Sequence, residues 1–382
     1  MSWQPRGSVL IAAVSGRALA RAASDAGYTP LVADFFADRD TDALAQGVRE
    51  MPGAIARGFQ QAALMPALEA LAREAPSPLI GLVYGSGFED RTRLLAPLAE
   101  RWPLLGNNAE TVAQINDPAR FFAELARCGI AYPETHLDRP RDPEGWIAKR
   151  VGGAGGSHVG PAGARKGRTD LYFQRLVSGR SISALFAASA RDAVVLGFSE
   201  QWTAPAPGKP WRFGGACQPA DISRDARERM TEIVLRLADA FGLAGLNSAD
   251  FVLHGDDPML LEVNPRPGAT LDIFASTQTP LLKIHFDAVR QGALPSHPPA
   301  FEGAAASAIV FAPKTLTSPV HMAWPAWAAD VPKIGQRIDK ERPICTLLAR
   351  AGSVDDARRL LQTRVNDLLN ALDASEHPER TQ

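Results

Sequence analysis

Leu246-Asn-Ser-Ala-Asp250-Phe-Val-Leu-His254-Gly-Asp-Asp-Pro258-Met-Leu-Leu-Glu262-Val-Asn264-Pro-Arg266-Pro-Gly268 is the stretch on which the fold is decided. Two short apolar runs, Leu246 to Leu253 and Met259 to Val263, flank the turn-forming His254-Gly-Asp-Asp-Pro258, a pattern that predicts an antiparallel hairpin. Side chains alternate along a strand, so Glu262 and Asn264, two residues apart, share a face, and Asp250 on the facing strand can join them. Convergent hard oxygen donors without His or Cys suit Mg²⁺, which keeps water and nucleotide phosphates in its shell. The alternative is that both carboxylates are solvated charges on an exposed sheet. Their apolar neighbours, Phe251-Val252, Leu260-Leu261 and Val263, argue against it, because an unpaired carboxylate beside a buried layer is strongly destabilising. Arg266 follows on the same side, with Pro265 and Pro267 stiffening the exit. Its permanent charge and forked donors suit phosphoryl or acyl-phosphate oxygens. An ion pair with Asp272 is the competing use.

Upstream, Asp117-Pro118 places an N-cap before a proline at the first helical position, opening a helix that runs to Cys128-Gly129. Trp146-Ile-Ala-Lys149-Arg-Val151 then alternates as a strand and runs into Gly152-Gly-Ala-Gly-Gly-Ser-His158. The next strand expected is Leu171 to Val177, which makes the glycine run the tip of a hairpin. The run lacks the Gly-Lys-Ser/Thr ending of a P-loop. Flexible backbone N–H groups at Gly152, Gly153, Gly155, Gly156 and Ser157, with Lys149 on the supporting strand, would close over phosphates as a lid; a plain mobile loop is the alternative. Strands are also expected at Ser181 to Ala187 and Ala193 to Glu200, and a long amphipathic helix at Arg224 to Phe241. Arg212, between Trp211 and Phe213, reads either as a carboxylate clamp or as a surface charge.

The first hundred residues alternate strand and helix: Val9 to Val14, a helix up to Gly27, Thr29 to Asp34 and Leu79 to Tyr84. Such continuous apolar runs predict parallel strands buried on both faces of a Rossmann-like lobe. Ser15-Gly16-Arg17 lacks the Gly-x-Gly-x-x-Gly spacing of a dinucleotide site, so Asp34 reads as a strand-end cap. Leu294 to Ala300 is a Pro-rich linker, Gly303 to Ala374 a mixed unit ending in a helix, and Ser375 to Gln382 a polar tail. With 382 residues the chain exceeds the ~250–300 residues at which one core stops growing, so several lobes are expected. A net charge of -1 gives no reason to expect nucleic acid or an anionic membrane as partner, and small molecules are the expected ligands. No stretch reaches the roughly 18 apolar residues of a membrane span. Three scattered cysteines, Cys128, Cys217 and Cys345, form neither a disulfide framework nor a zinc motif, and the expected location is the cytoplasm.

Together these features resemble the ATP-grasp superfamily: a Rossmann-like lobe, a Lys strand with a Gly-rich lid, a hinge strand, then Asp and Glu-x-Asn on paired strands. The resemblance implies an α/β fold in four parts: a Rossmann-like lobe (1–116), a lid subdomain (117–180), a metal and substrate subdomain (181–300) and a C-terminal accessory unit (301–382). It implies Lys149 on the α/β-phosphates, the lid on the β/γ-phosphates, and adenine held by the backbone of the hinge Gln174-Arg175-Leu176-Val177. It further implies two Mg²⁺ ions on Asp250, Glu262 and Asn264, with Glu262 bridging. Two positions depart from the family pattern. Pro118 stands where a lysine usually starts the helix, leaving Arg120 as the nearest cation, and Ser181 or Ser183 stands where an acidic residue usually binds ribose. Gly179-Arg-Ser-Ile-Ser-Ala184 and Asn264-Pro-Arg-Pro are similar to a subgroup of carboxylate-amine ligases that includes an enzyme coupling glutamate to tyramine in methanofuran and methylofuran synthesis. The implied reaction is ATP-dependent phosphorylation of a carboxylate and its coupling to an amine with release of ADP and phosphate, catalysed around Lys149 and Arg266, in a chain that can form a homodimer. A bicarbonate-using carboxylase-like enzyme and a nucleotide-binding regulator without catalysis are the alternatives.

Overall fold

The computed structural model describes residues 6–164, 168–276 and 278–376. In the first lobe, β1 (Ser8–Ala12), β2 (Thr29–Asp34), β3 (Gly47–Glu50) and β4 (Leu79–Tyr84) form a parallel sheet in the order β3-β2-β1-β4. Val9, Leu10, Ile11 and Ala12 are wholly buried, as a parallel strand covered on both faces must be. Helices α1 (Arg17–Asp25), α2 (Arg39–Leu44), α3 (Gln61–Arg73), α4 (Leu95–Arg101) and α5 (Ala109–Asn116) complete the lobe. Asp34 caps the turn into α1, accepting from Gly16 N–H at 2.8 Å and from Ala37 N–H at 2.7 Å.

The lid begins after α6 (Pro118–Arg127), whose N-cap Asp117 accepts from the Ala119 and Arg120 amides. Its sheet has the order β5-β8-β6-β7, formed by β5 (Thr135–His136), β6 (Trp146–Arg150), β7 (Val159–Pro161) and β8 (Leu171–Arg175). The hairpin carrying the glycines is therefore closed by the short β7, which the sequence reading takes for loop, and β8 pairs with the other edge of β6. A strand of three residues, Val-Gly-Pro, carries too little periodicity to be read in advance.

The largest sheet has eight strands in the order β13-β12-β9-β10-β11-β14-β18-β16. They are β9 (Arg180–Ser189), β10 (Asp192–Thr203), β11 (Phe213–Gln218), β12 (Ala244–His254), β13 (Asp257–Asn264), β14 (Ala304–Phe311), β16 (Ala328–Ala329) and β18 (Pro343–Ala351); β15 (Leu316–Thr317) and β17 (Arg337–Ile338) pair separately. On one face Ile182, Ala184, Phe186, Ala249, Phe251 and Leu260 pack with Met230, Val234 and Leu237 of α7 (Arg224–Phe241). On the other, Leu185, Ala187 and Leu246 pack with α8 (Leu281–Gln291) and with Val9, Ile11 and Leu19 of the first lobe. The last helix, α9 (Val354–Glu376), takes in Ser375 and Glu376 of the expected tail, and residues 377–382 lie outside the described part. Because β11 pairs with β14, the C-terminal unit extends the same sheet that carries the hairpin.

Candidate active site

The hairpin forms with Asp250 directly opposite Glu262 and Ser248 opposite Asn264, and a register shift follows Asp250. Asn264 Nδ2 donates to Asp250 Oδ2 at 3.2 Å, and Gln201 Nε2 from β10 donates to Asp250 Oδ1 at 3.3 Å. Ser183 stands opposite Asp250 on β9. Behind this polar face, Ala249, Phe251 and Leu260 have no exposure, so the core fixes the direction in which the carboxylates point. Burial first, and then the neighbouring charge of Glu262, push Asp250 up to about 7. Two carboxylates held opposite each other across a ladder are mutually repulsive. A bound divalent cation would relieve this repulsion. Among the described residues no group of three or more His, Cys, Asp or Glu is placed to hold a metal. The two carboxylates instead make a part-shell of hard oxygens, which fits Mg²⁺ completed by water and phosphate, while Asn264 turns its Nδ2 to Asp250 and its Oδ1 to Arg266.

Lys149 sits on β6 at 4% exposure, its ammonium pushed down by burial and supported by the charges of Glu262 and Asp250. The lid therefore faces the hairpin. His158, at its far end, is also buried and lies within the fields of Glu262 and Lys149, and its Nδ1 is 3.3 Å from the Ala154 carbonyl oxygen. Close approach explains Gly152, Gly153 and Gly156, and a positive φ of 66° suits Gly155. Phe213 N–H donates to Gly155 O at 3.1 Å, and a Cβ on Gly156 would stand 1.8 Å from the Trp211 carbonyl oxygen. Gly152 packs against Asp90 of the first lobe, where a Cβ would come within 2.7 Å of its Cα, and Gly153 lies under the His158 ring. Arg150 reaches Asp90 at 3.3 Å. Ser157 is exposed on this loop.

The hinge differs in detail from the expectation. Arg175 N–H donates to Glu134 O and Leu176 N–H to Gly145 O, both at 2.8 Å, so neither amide is open to a base. The Val177 amide has no partner among the described residues. Gln174 is wholly buried; its Nε2 donates to Thr135 Oγ1 at 3.1 Å and its Oε1 is left without a partner. Arg175 lies over the Trp146 ring at 5.3 Å, and Leu176 is 50% exposed, an apolar side chain open at the mouth of the hinge. Ser181 is half-buried, opposite Val252 and two residues from Ser183 on the site's face of the sheet. Arg120, the nearest cation to Pro118, pairs with Glu110 on an exposed surface.

Several side chains have partners the sequence did not indicate. Arg266 pairs with Glu89 of the first lobe at 2.7 Å, while Asp272 is bound by Arg17 at 2.5 Å. Arg212 is neither a clamp nor a surface charge: it is buried, bonded to Glu341 at 2.9 Å and stacked 3.6 Å over the Phe311 ring, tying the lid's docking segment to the C-terminal unit. Asn107 bridges the lobes, donating to Asn247 Oδ1 at 2.7 Å and to Pro265 O at 2.9 Å while accepting from Ala244 N–H at 2.7 Å. Such partners come from remote segments, and no local spacing announces them. The three cysteines are free thiols, and among the described residues no helix is long and apolar enough to cross a membrane.

A Lys strand and glycine lid facing a carboxylate hairpin, behind a parallel lobe, define the class. Residues 115–270 match the ATP-grasp domain family, and the chain has the ATP-grasp fold. Among curated proteins it is similar to the carbamoyl phosphate synthase large chain of Myxococcus xanthus, 24% identical over 253 residues. That match takes in 59% of this chain and 23% of the relative, so the chain spans about a quarter of the length of the curated relatives it matches. Among solved structures it is similar to the biotin carboxylase domain dimer of Hydrogenobacter thermophilus 2-oxoglutarate carboxylase, in complex with MgADP, ADP and bicarbonate. There the TM-score is 0.72 and the identity 13%, over 93% of this chain and 88% of that one. It is likewise similar to L-amino acid ligase from Bacillus licheniformis (TM-score 0.70, 14% identity, 95% of this chain and 98% of that one).

Proposed function

We propose that this protein is a Mg-ATP-dependent ligase that phosphorylates a carboxylate and couples it to an amine, releasing ADP and phosphate. The observation that carries this reading is the cross-strand pairing of Asp250 with Glu262 beside Asn264, faced by the buried Lys149. In this reading Asp250, Glu262 and Asn264 would hold Mg²⁺, two ions in all, which when bound would neutralise phosphate charge. Lys149 and the amides of Gly152, Gly153, Gly155 and Gly156, with Ser157, grip the phosphates. The carbonyls of Gln174, Arg175 and Leu176, with the Val177 amide, border the adenine, and Ser181 serves the ribose.

Phosphoryl transfer asks of a protein mainly alignment and charge compensation. Lys149 and Arg266 supply the charge. The lid, docked on Trp211 to Phe213, excludes water, which strengthens the attraction of both cations for phosphate. The four-part division at 116, 180 and 300 is proposed as the functional one, with the third and fourth parts sharing a sheet. The protein is proposed to act in the cytoplasm and as a homodimer, which light scattering would check.

The substrates are tested by screening pairs of amino acids and amines, glutamate with tyramine first, for Mg-ATP-dependent phosphate release and an amide of the summed mass. A second reading is favoured by a structural relative described with bicarbonate bound: a carboxylase-like enzyme, which bicarbonate-dependent ADP release without an amine would identify. ATP binding with no ADP release across both panels would discard the ligase reading in favour of a nucleotide-binding regulator.

A further inference from the structure

The Arg266 side chain, at the exit of the hairpin, reaches into the first lobe, and what it meets there is built. Its Nε–H donates to Glu89 Oε1 at 2.7 Å, while Glu89 Oε2 accepts from the Gly87 amide at 2.7 Å, so both carboxylate oxygens are held. Each side chain of the pair is 10% exposed. Burial alone would raise the Glu89 carboxyl, yet the Arg266 guanidinium and the loop amides hold it below the usual range. On the other side Arg266 donates to Asn264 Oδ1 at 3.2 Å and to Pro267 O at 3.3 Å. A guanidinium has five N–H donors in one rigid plane, and with Nε and Nη2 both 2.7 Å from Glu89 Oε1, and the Nη groups held by Asn264 and Pro267, that plane is fixed. The same guanidinium stands within electrostatic reach of Asp250.

Resting on the reading of Arg266 as the cation that meets the phosphoryl group, we propose that Glu89 is its positioning residue. The first lobe's loop after β4 sets the plane of the Arg266 guanidinium and so the direction in which its remaining N–H donors face the metal hairpin. Glu89 does not touch substrate. It acts through Arg266, and it makes the catalytic cation of one lobe depend on the seating of another. A plain interlobe ion pair would also stabilise the fold, so stability does not discriminate between the two roles.

The test uses the full chain with Glu89→Gln, which keeps the shape and removes the charge, and Glu89→Asp, which keeps the charge and shortens the arm. Expected for Glu89→Gln is a fall in kcat of about 10- to 100-fold, the usual size for loss of an orienting partner, with KM for ATP and affinity for Mg-ADP within about twofold of the parent. Glu89→Asp recovers part of the loss. With Arg266→Ala, added guanidinium restores turnover when Glu89 is present and fails to in the Glu89→Gln double variant. The Arg266 Nε–H resonance, assigned by its loss in Arg266→Lys, moves in Glu89→Gln. This arm needs no turnover, so it tests the Glu89–Arg266 contact on which the proposal stands even if the ligase reading fails. Unchanged kcat in Glu89→Gln, equal guanidinium rescue in both backgrounds, or an unmoved resonance overturns the proposal. If Glu89→Gln does not fold, Glu89→Asp carries the kinetic and resonance arms alone, and a parent-like result in it is likewise negative.

Discussion

His285 on α8 is wholly buried between the strand that bears the site and the first lobe: its Nδ1 accepts from Leu246 N–H at 2.8 Å and its Nε2–H donates to Leu105 O at 2.9 Å. Accepting at Nδ1 demands the neutral ring, and burial lowers its pKa from 6.5 to about 4, against a smaller raising contribution from the Leu105 carbonyl. The sign follows directly. Between about pH 6.5 and pH 4 the unfolded chain takes up a proton that the native protein refuses, so stability is fully present above the unfolded value and is lost as pH falls toward the folded one. For these two values the loss at about pH 4.5 is about 2–3 kcal/mol, since each tenfold difference in proton affinity between the two states is worth about 1.4 kcal/mol. The assay is denaturant unfolding of the parent and of His285→Gln from about pH 7.5 to pH 4.5. Carboxylates elsewhere, Glu89 and Asp330 among them, also weaken the native state in acid, but they are common to both proteins. The variant should be weaker at neutral pH, by about 1–3 kcal/mol for each bond it fails to replace, and its profile should be flatter by the His285 share. Parallel profiles, or a His285 ring resonance titrating near its ordinary value, would falsify the neutral-bridge account.

Replacing Asp250 by Asn relieves the carboxylate pair: Tm without metal should hold or rise, while the Tm gain from Mg-ADP and all Mg-dependent ADP formation are lost, and Glu262→Gln should behave alike. Thermal scans with and without Mg-ADP check this. Gly156→Ala sets a side chain against Trp211 O at a backbone φ of 68°, so the lid must lift; KM for ATP should rise about tenfold or more, equivalent to roughly 1.4 kcal/mol, with a near-normal fold by circular dichroism. Arg17→Met leaves the half-buried carboxylates of Asp272 and Asp330 without their common cation, and unfolding experiments should show a loss of up to about 3–5 kcal/mol.

What was legible in the sequence was what repeats at short range. Strand alternation placed Asp250, Glu262 and Asn264 on one face, apolar runs marked β1, β2 and β4, the Asp117-Pro118 cap started α6, and Arg224–Phe241 was bounded as the structure has it. These patterns are local because side-chain direction in strands and helices depends only on residue spacing. The short β7, the spent amides of Arg175 and Leu176, the Glu89 partner of Arg266 and the burial of Arg212 were not legible, because each depends on a segment brought in from elsewhere in the chain. The hairpin of Asp250 and Glu-x-Asn, read alone, was enough to predict a metal-nucleotide chemistry. Where its cation Arg266 points, which hinge groups stay open and how closely the lid lies on Trp211 were decided only by tertiary packing, since hydrogen-bond partners remote in sequence leave no periodic trace in it.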